Sequence, residues 1–302
     1  MQLPLRSFQP VLELRAKILW TIRRFFRTRD FLEVETPLRL PVPAMELHID
    51  ALPAGDHYLR TSPEFHMKRL LAAGYPRLFQ IGPCFRQDER GAHHHPEFTL
   101  LEWYRAAADY MNILADTKAL LAAICDEVLG RTGLQLGTTS LELLPVWEII
   151  TIRQAFSAYA GWDPTRTFDA ERFDLDLVSK VEPNLPREHP VVLIDYPAEV
   201  AALARRKPAA PALAERWELY IGGLEIANAF SELTDAAEQR ARFVACAAER
   251  QRLGKPAYPL DEDFLAALEA GLPPCAGIAL GVDRLIMLLA GARSLDEVLP
   301  FR

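Results

Sequence analysis

One stretch of the chain limits what it can fold into: residues 85–104, FRQDERGAHHHPEFTLLEWY. The apolar run RLFQIGPCF ends just before Arg86, and a second apolar run resumes at Phe98. Between them lies a long polar segment rich in charge and histidine. This pattern predicts two strands joined by a long loop. Long ordered loops are usually functional, and the alternative is a surface hairpin with a solvated tip.

Composition places the chain among ordinary globular proteins. Its 302 residues are 50% hydrophobic and 25% charged, which is enough for one large domain or two small ones. The net charge of −7 gives no overall electrostatic attraction for naked nucleic acid. The N-terminus lacks an apolar signal segment, and no apolar run reaches about 18 residues. We therefore expect a cytoplasmic protein with no membrane partner.

The cysteines and histidines give little support for a metal centre. Three consecutive histidines, residues 93–95, invite a metal-binding interpretation. Adjacent side chains on an extended backbone point in alternate directions, so they converge poorly on one ion. A loop that holds an anion is the favoured interpretation. No C-x-x-C pair occurs, which predicts reduced, mostly buried thiols at Cys84, Cys125, Cys246 and Cys275.

Hydrophobic periodicity predicts a mixture of helices and strands. Helical spacing occupies residues 11–29, 61–74, 109–129 and a long segment that begins at Thr234–Asp235. Strand patterns occupy residues 31–37, 191–197 and 217–226, and residues 277–291 begin as a strand-like run and become helical. The sequence ARRKPAAPA, residues 204–212, predicts a loop.

The segment TSPE, residues 61–64, predicts the start of a helix. A Ser or Thr cap precedes Pro63 at the first helical position, and Glu64 lies in the first turn. Glu64 is either an acid that matches the helix dipole or a carboxylate that lines a pocket, and the sequence does not choose between them.

Two arginines and two acids suggest a phosphate site. Arg86 and Arg284 each adjoin a strand-like run, and Glu225 and Glu232 lie near the end of another. Arginines with oxygen-only acids suit a phosphate with Mg²⁺, although structural ion pairs use the same residues. The two acids are seven residues apart, so on a straight strand they would face opposite ways. A bend between them is required for convergence.

Several common catalytic signatures are absent from the sequence. There is no G-x-x-x-x-G-K-S/T phosphate loop, no G-x-G-x-x-G dinucleotide fingerprint and no G-x-S-x-G nucleophile elbow.

Three segments resemble, in order, the signature motifs of class II aminoacyl-tRNA synthetases. FLEVETP (31–37) resembles motif 1, residues 85–104 resemble motif 2, and GIALGVDRLIML (277–288) resembles motif 3. The segments TSPE, HHPEFT and EIANAFSELTD are also similar to those of lysyl-tRNA synthetases. The resemblance covers nearly the whole chain, and the ordered combination is far more specific than any single motif.

Lysyl-tRNA synthetases carry an N-terminal OB-fold for the anticodon. Here the first predicted core helix begins close to Met1, so we expect a single catalytic domain, residues 1–302, with no OB-fold. Such a core resembles the elongation factor P–(R)-β-lysine ligases, which adenylate β-lysine and transfer it to a lysine side chain of elongation factor P. This resemblance implies an α+β fold in which an antiparallel sheet is flanked by helices. It also implies ATP and Mg²⁺ as cofactors, no tRNA partner, and a homodimer formed through motif 1 around residues 33–37.

The resemblance also implies residue roles. Arg86 would hold the α-phosphate, and adenine would lie between Arg284 and the Phe98 ring; both arginines would be catalytic. The residues implied to bind the nucleotide are Arg86, Gln87, Asp88, His95, Phe98, Glu225, Ile226, Gly281 and Arg284. Those implied to bind the amino acid are Ser62, Pro63, Glu64, Tyr104, Glu232 and Ala279. Glu225 and Glu232 match the acids that hold Mg²⁺.

The chain departs from the family pattern at a few positions. Gln87, Asp88 and His95 stand where the family has asparagine, glutamate and asparagine. Ala279 replaces the glycine of lysyl-tRNA synthetases, which is similar to the β-lysine ligases and favours β-lysine over α-lysine as substrate.

Two alternatives remain open. One is a lysine ligase that acts on tRNA or a small molecule, and the other is an inactive regulatory paralogue. Retention of Arg86, Arg284, Glu225 and Glu232 argues against the second alternative, because an inactive site has no need of them.

Overall fold

The computed structural model describes residues 5–301. The α-helices over this range are α1 (Gln9–Arg27), α2 (Glu64–Ala72), α3 (Tyr110–Ile124), α4 (Ile152–Tyr159), α5 (Ala170–Asp176), α6 (Ala236–Arg252), α7 (Glu262–Gly271) and α8 (Val282–Leu289). The strands up to the middle of the chain are β1 (Leu32–Glu33), β2 (Arg39–Leu40), β3 (Pro53–Ala54), β4 (His57–Leu59), β5 (Arg77–Phe85), β6 (Glu97–Ala106), β7 (Gly133–Leu136) and β8 (Thr139–Glu142). The remaining strands are β9 (Glu148–Thr151), β10 (Val191–Pro197), β11 (Arg206–Lys207), β12 (Ala210–Ile221), β13 (Leu224–Ser231) and β14 (Cys275–Gly281).

A nine-stranded sheet forms the centre of the fold. Its order is β1-β5-β6-β14-β13-β12-β10-β9, with β11 paired to β12. The edge pairs β1–β5 and β9–β10 are parallel, and the inner strands are antiparallel. Helices flank this sheet, so the α+β class predicted from the sequence is confirmed. Smaller sheets, β2-β4-β3 and β7-β8, lie outside it.

The two strands predicted around motif 2 are present and pair with each other. β5 and β6 are antiparallel from Arg77 opposite Arg105 to Phe85 opposite Glu97. Residues 86–96 therefore leave the sheet as a loop at one end of this pair. The charged loop of motif 2 is thus held at one end of a long, regular pair of antiparallel strands.

One face of the sheet is covered by an apolar core. Ile18 and Ile22 of α1, with Ile286 of α8, lie in one buried cluster with Trp103 and Trp217 of the sheet. Hydrophobic side chains at helical spacing on α1 and at alternate positions on β6 and β12 build this face. The amphipathic helix predicted for residues 11–29 is confirmed as α1.

Helices α2, α6 and α7 form a second cluster near the opposite face. Phe65 of α2 stacks on Phe264 of α7 with ring centroids 4.3 Å apart, and Phe243 of α6 lies 5.6 Å from Phe65. These aromatic contacts hold α2 beside the sheet, so that its first turn faces the central strands.

Two loop and strand predictions were wrong. The strand predicted for residues 217–226 is two strands, because Gly222 and Gly223 take φ values of +63° and +83° and form a tight hairpin turn between β12 and β13. Residues 204–212, predicted as a loop, contain β11 and the first residues of β12. Both errors arose because the predictions used local hydropathy alone, whereas strand boundaries also depend on which strands pair.

Two element boundaries also differ from the predictions. Motif 1 forms only the two-residue strand β1, although Val34 still donates its N–H to the Phe79 carbonyl at 2.9 Å. Pro63 precedes α2 as its N-cap instead of occupying the first helical position. The Ser62 hydroxyl, one residue before this N-cap, still accepts the N–H of Glu64, the first residue of α2, at 3.0 Å.

The state of the cysteines and the length and polarity of the helices agree with the predictions from the sequence. All four cysteines are free, and Cys84, Cys125 and Cys275 are buried. Over residues 5–301, the helices are too short or too polar for a bilayer crossing.

Phe26 tests the apolar core. Its ring stacks on Phe79 at 4.8 Å and also contacts Phe31 at 5.1 Å and Trp103 at 5.0 Å. We expect Phe26→Ala to lower the free energy of unfolding by about 3–5 kcal/mol, because it leaves a cavity between α1 and the sheet. Urea denaturation measures this change. Phe301→Ala is the matched control, since that ring is 77% exposed and its loss should change stability by less than about 0.5 kcal/mol. Equal effects would contradict this description of the core.

Candidate active site

Charged and small side chains share one face of the central strands. Antiparallel register aligns them in two rows across β6, β14, β13 and β12. The first row is Glu102, Ala279, Asn228 and Glu218, and the second is Tyr104, Gly277, Phe230 and Arg216. Successive side chains on a strand alternate between faces, so the apolar residues between these positions lie in the core on the other side.

A buried lysine joins two acids at one end of this face. Lys68 of α2 forms ion pairs with Glu64, one helical turn earlier, and with Glu232, just after β13. Lys68 and Glu232 are each 1% exposed. Burial alone would lower the pKa of the Lys68 ammonium, but Glu232 and Glu64 outweigh burial and raise it. The ammonium therefore stays charged between the carboxylates.

Glu232 keeps unused acceptor capacity. Burial raises the pKa of its carboxyl well above the usual range, although Lys68 opposes this. Lys68 lies within ion-pair distance of Oε2, yet neither carboxylate oxygen of Glu232 has a well-aligned hydrogen-bond donor within the described residues. Buried carboxylate oxygens are normally hydrogen-bonded, so this acid is suited to a ligand that brings a donor.

Glu102 is a third buried acid beside this pair. Its carboxylate accepts hydrogen bonds from the Ser62 hydroxyl at 2.6 Å and from the Tyr104 hydroxyl at 2.7 Å. Burial, with a smaller contribution from Glu64, raises the pKa of Glu102 to about 7. Gly277 makes room for the Tyr104 ring, because a Cβ there would lie only 2.2 Å from a ring carbon. Ser62, Glu64, Tyr104 and Glu232, predicted as amino acid ligands, are thus brought together.

Arg86 lies at the other end of the face, directly after β5. Its backbone N–H donates to the Pro96 carbonyl at 2.9 Å, which closes the base of the motif 2 loop. The guanidinium carbon is 5.0 Å from the centroid of the Phe98 ring, and Nη1 is 3.4 Å from Glu89. Nε of Arg86 is buried and has no hydrogen-bond partner within residues 5–301. An arginine with an unused buried donor can donate a hydrogen bond to a phosphate oxygen.

Arg284, in the first turn of α8, joins the motif 2 loop to β13. It donates to the Glu225 carbonyl at 3.0 Å and to the His93 carbonyl at 3.1 Å, and Nη2 lies 2.7 Å from His94 Nε2. The structure holds Arg86, not Arg284, against the Phe98 ring. The stacking of adenine between Arg284 and Phe98 therefore stays a prediction.

A β-bulge supplies the bend that the spacing of Glu225 and Glu232 required. Tyr220 of β12 pairs with Glu225, but the preceding residue, Leu219, pairs with Ala227, so one extra residue is accommodated in β13. Glu225 consequently faces Arg284, with Nη1 3.4 Å from Oε2. Burial and the nearby Glu218 carboxylate raise the pKa of Glu225.

The two predicted magnesium acids have different immediate partners. Glu225 contacts Arg284, whereas Glu232 contacts Lys68. Within residues 5–301, no three His, Cys, Asp or Glu side chains cluster closely enough to hold a metal by themselves. A carboxylate pair that also needs phosphate oxygens to complete its coordination is compatible with this finding.

The remaining predicted nucleotide residues border the arginine end. Gln87 and Asp88 are exposed at the head of the loop, and Asp88 has a φ of +62°. His95 Nδ1 lies 2.7 Å from the Glu97 carbonyl oxygen. Ile226 is 2% exposed in the core, so any nucleotide contact there involves its backbone. Gly281 ends β14 directly before α8.

The sequence interpretation missed several site residues. Lys68 follows the predicted residue Glu64 by four positions, which is one helical turn. Glu102 precedes the predicted residue Tyr104 by two positions, which places both on the same strand face. Both missed residues could therefore have been found from these spacings. Arg216 and Glu218 joined the site only through strand pairing, and no local signal marks them. Arg216 donates to Glu218 at 2.6 Å and to Asn228 at 3.2 Å.

Comparison with known proteins gives consistent matches along the whole chain. The family model of class II tRNA synthetases (D, K and N) matches residues 1–302. The chain is 41% identical to the elongation factor P–(R)-β-lysine ligase of Proteus mirabilis, over 95% of this chain and 93% of that protein. It is 40% identical to the ligase of the same name from Vibrio cholerae, over 96% of this chain and 94% of that protein.

Lysine–tRNA ligases also match, but over a smaller part of their length. The chain is 38% identical to that of Pelotomaculum thermopropionicum, covering 96% of this chain and 63% of that protein. The family model, these relatives and the three motifs on one sheet agree, and the chain belongs to the class II tRNA synthetase family.

Proposed function

We propose that this chain activates (R)-β-lysine with ATP and transfers it to a lysine side chain of elongation factor P. The relatives with that printed name support the proposal, because the match covers 93–94% of their length. The structural observation that carries it is an acid-rich pocket beside an arginine-rich end on a single sheet face. A diamino acid requires the acidic environment and a nucleoside triphosphate requires the arginines, and the two must lie side by side.

Adenylation joins two anions, which explains the arginines. The substrate carboxylate attacks the α-phosphorus of ATP, and the bond to pyrophosphate breaks. Positioned positive charge lowers the barrier to this approach. Arg86, with its buried free Nε, would hold the α-phosphate, and Arg284 would stabilise the nucleotide from α8.

ATP would bring Mg²⁺, and Glu225 is suited to hold it. Repulsion from Glu218 contributes to the raised pKa of Glu225, and a divalent cation would relieve that repulsion. Mg²⁺ usually uses one or two carboxylates together with phosphate oxygens. Glu232, the second acid predicted for the metal, lies beside Lys68, so its main partner would be the substrate ammonium.

The acid pocket suits the amino acid. Glu64, Glu102 and Glu232 surround the single cation of Lys68, and a substrate ammonium bound among them would lower the raised pKa values of Glu102 and Glu232 and stabilise their charged forms. Ala279 lies in the same row as Glu102 and faces the substrate space. Its methyl group, absent from a glycine, is the feature that favours β-lysine over α-lysine.

Transfer follows in the same site. The lysine amine of elongation factor P would attack the carbonyl carbon of the adenylate, and AMP would leave. A cytoplasmic location goes with this proposal, because its protein substrate is a translation factor.

We also propose a homodimer through motif 1. Leu32 and Leu38, which bracket the predicted segment, are 50% and 42% exposed, and Trp20 of α1 is 68% exposed. Arg23, one turn after Trp20, bonds Glu33 at 2.8 Å, which places this part of α1 beside motif 1. Exposed apolar side chains gathered in this way are typical of an interface.

The function is tested by intact-protein mass spectrometry of elongation factor P. Incubation with the enzyme, ATP and (R)-β-lysine should add the mass of one β-lysine residue, and α-lysine should react much less. A parallel reaction with tRNA should give no aminoacylation. Transfer to tRNA alone would favour the tRNA ligase alternative, and no pyrophosphate exchange with any amino acid would favour an inactive paralogue.

The arginine roles are tested by Arg86→Lys and Arg284→Lys. Lysine keeps the charge but loses the planar fork of donors, so the rate of ATP–pyrophosphate exchange should fall by about 100-fold. Arg90→Lys, at an exposed position on the same loop, is the matched control and should leave the rate within about twofold. Normal exchange by the Arg86 or Arg284 variant would contradict the assignment of that residue.

The dimer is tested by Leu32→Glu. A charge placed on the proposed interface should convert the dimer to a monomer, because the buried carboxylate would lack a partner. Light scattering coupled to size-exclusion chromatography measures the mass. Leu253→Glu, a similarly exposed leucine at the end of α6, should leave the dimer intact. A monomeric wild-type protein would refute the proposal.

A further inference from the structure

An arginine of the first helix joins two other elements behind the site. Arg15 of α1 forms an ion pair with Asp283, the second residue of α8, and donates a hydrogen bond to the Thr99 hydroxyl of β6 at 2.7 Å. The Asp283 carboxylate also accepts the Thr99 N–H at 2.6 Å. These three contacts close a ring among α1, β6 and α8. We call Arg15, Thr99 and Asp283 the clamp.

The clamp lies on the covered side of the sheet and does not face the substrate space. Successive side chains on β6 alternate between faces, so Thr99 shares a face with Leu101 and Trp103 of the apolar core. Phe98, one residue earlier, takes the opposite face, where the site lies. Asp283 is 3% exposed, so water does not replace its protein partners.

Both carboxylate oxygens of Asp283 are bonded to other elements. Oδ1 accepts from the Arg15 guanidinium, and Oδ2 accepts from the Thr99 N–H. An acid in the first turn of a helix often serves only the helix dipole, but this one connects its helix to a strand and to a second helix. A buried carboxylate that loses such a partner is strongly destabilised. The clamp therefore fixes where α8 begins relative to β6.

Each of the two clamped residues is next in the chain to a residue of the proposed nucleotide site. Thr99 follows Phe98, whose ring packs against the Arg86 guanidinium, and Asp283 precedes Arg284. The hydrogen bond from the Thr99 N–H to Asp283 thus joins the backbones that carry the two side chains predicted to enclose adenine. Stacking and cation–π contacts depend on the distance between the two faces, so a shift of α8 along β6 would weaken them.

We propose that Arg15 is a positioning residue for the adenine base: through Asp283 and Thr99 it sets the spacing between Arg284 and Phe98. The inference rests on the proposed function, because it takes ATP as the ligand between those side chains. A guanidinium suits this task, since its two terminal nitrogens reach acceptors on two elements at once. A lysine would keep the charge beside Asp283 but would lack the rigid fork that also holds Thr99.

The test uses Arg15→Lys, which keeps a cation beside the buried acid and so preserves the fold. Two probes separate the ends of ATP, because adenosine carries the base without phosphates and pyrophosphate carries phosphates without the base. In pyrophosphate exchange, Arg15→Lys should raise the KM for ATP and the inhibition constant of adenosine alike, by roughly 5- to 20-fold, since one hydrogen bond from a charged donor is lost. The KM values for β-lysine and pyrophosphate should stay within about twofold of wild type.

Two further variants bracket this result. Thr99→Val removes the hydroxyl that Arg15 binds and leaves the backbone N–H in place, so it should reproduce the selective loss of ATP and adenosine. Arg27→Lys is the matched control, because Arg27 is an exposed arginine in the last turn of the same helix. It should change none of the four constants by more than about twofold.

The outcomes separate the inference from the proposed function. If the KM for ATP rises while adenosine inhibits as in wild type, Arg15 acts on the phosphate end and the inference is wrong. A lower melting temperature of Arg15→Lys with all four constants unchanged would make the clamp purely structural. In both cases, β-lysine-dependent exchange by wild type still supports the function.

If wild type shows no such exchange, the proposed function fails, and calorimetric titration with adenosine then decides the inference by itself. Weaker adenosine binding by Arg15→Lys than by Arg27→Lys would support the inference, and equal affinities, or no binding to wild type, would overturn it.

Discussion

The ion pairs of Lys68 with Glu64 and Glu232 are the interactions on which the site depends. A carboxylate buried alone would be strongly destabilised in its charged form. One ammonium between two acids stabilises them, yet both carboxylate oxygens of Glu232 still lack a hydrogen-bond donor within the described residues. An amino acid that arrives with its own ammonium supplies that donor. The acceptors for a cationic ligand are therefore in place before that ligand binds.

Antiparallel pairing converts this local arrangement into an extended site. Because β6, β14 and β13 are in register, residues distant in sequence face the same space at fixed spacings. Gly277 makes room for the Tyr104 ring against β14, and the bulge in β13 turns Glu225 toward Arg284. The amine end and the arginine end are consequently held on one rigid surface, as in-line attack between two bound anions requires.

The sequence predicted those features that depend on short spacings. Apolar runs identified β5 and β10, alternation identified β6, and helical periodicity identified α1, because each pattern reports which side chains are buried. The hairpin at Gly222–Gly223 was missed, since the apolar residues on both sides of it continue the same composition. The bend between Glu225 and Glu232 could be required from the sequence, but its position could not, because a bulge is defined by the partner strand.

Part of the site could not be predicted from the sequence, because it is formed by contacts between segments that are distant along the chain. Arg15 lies 268 residues before its partner Asp283, and the sequence around it shows only an amphipathic helix. The burial of Lys68 depends on the packing of α2 against the sheet, which no local sequence pattern shows. Buried charges of this kind cost stability unless every donor finds an acceptor. Here Lys68, Glu102 and Glu232 gather on one sheet face, while the opposite face is apolar and carries the core. The fold thus separates the surface that stabilises the chain from the surface that tolerates desolvated charge for binding.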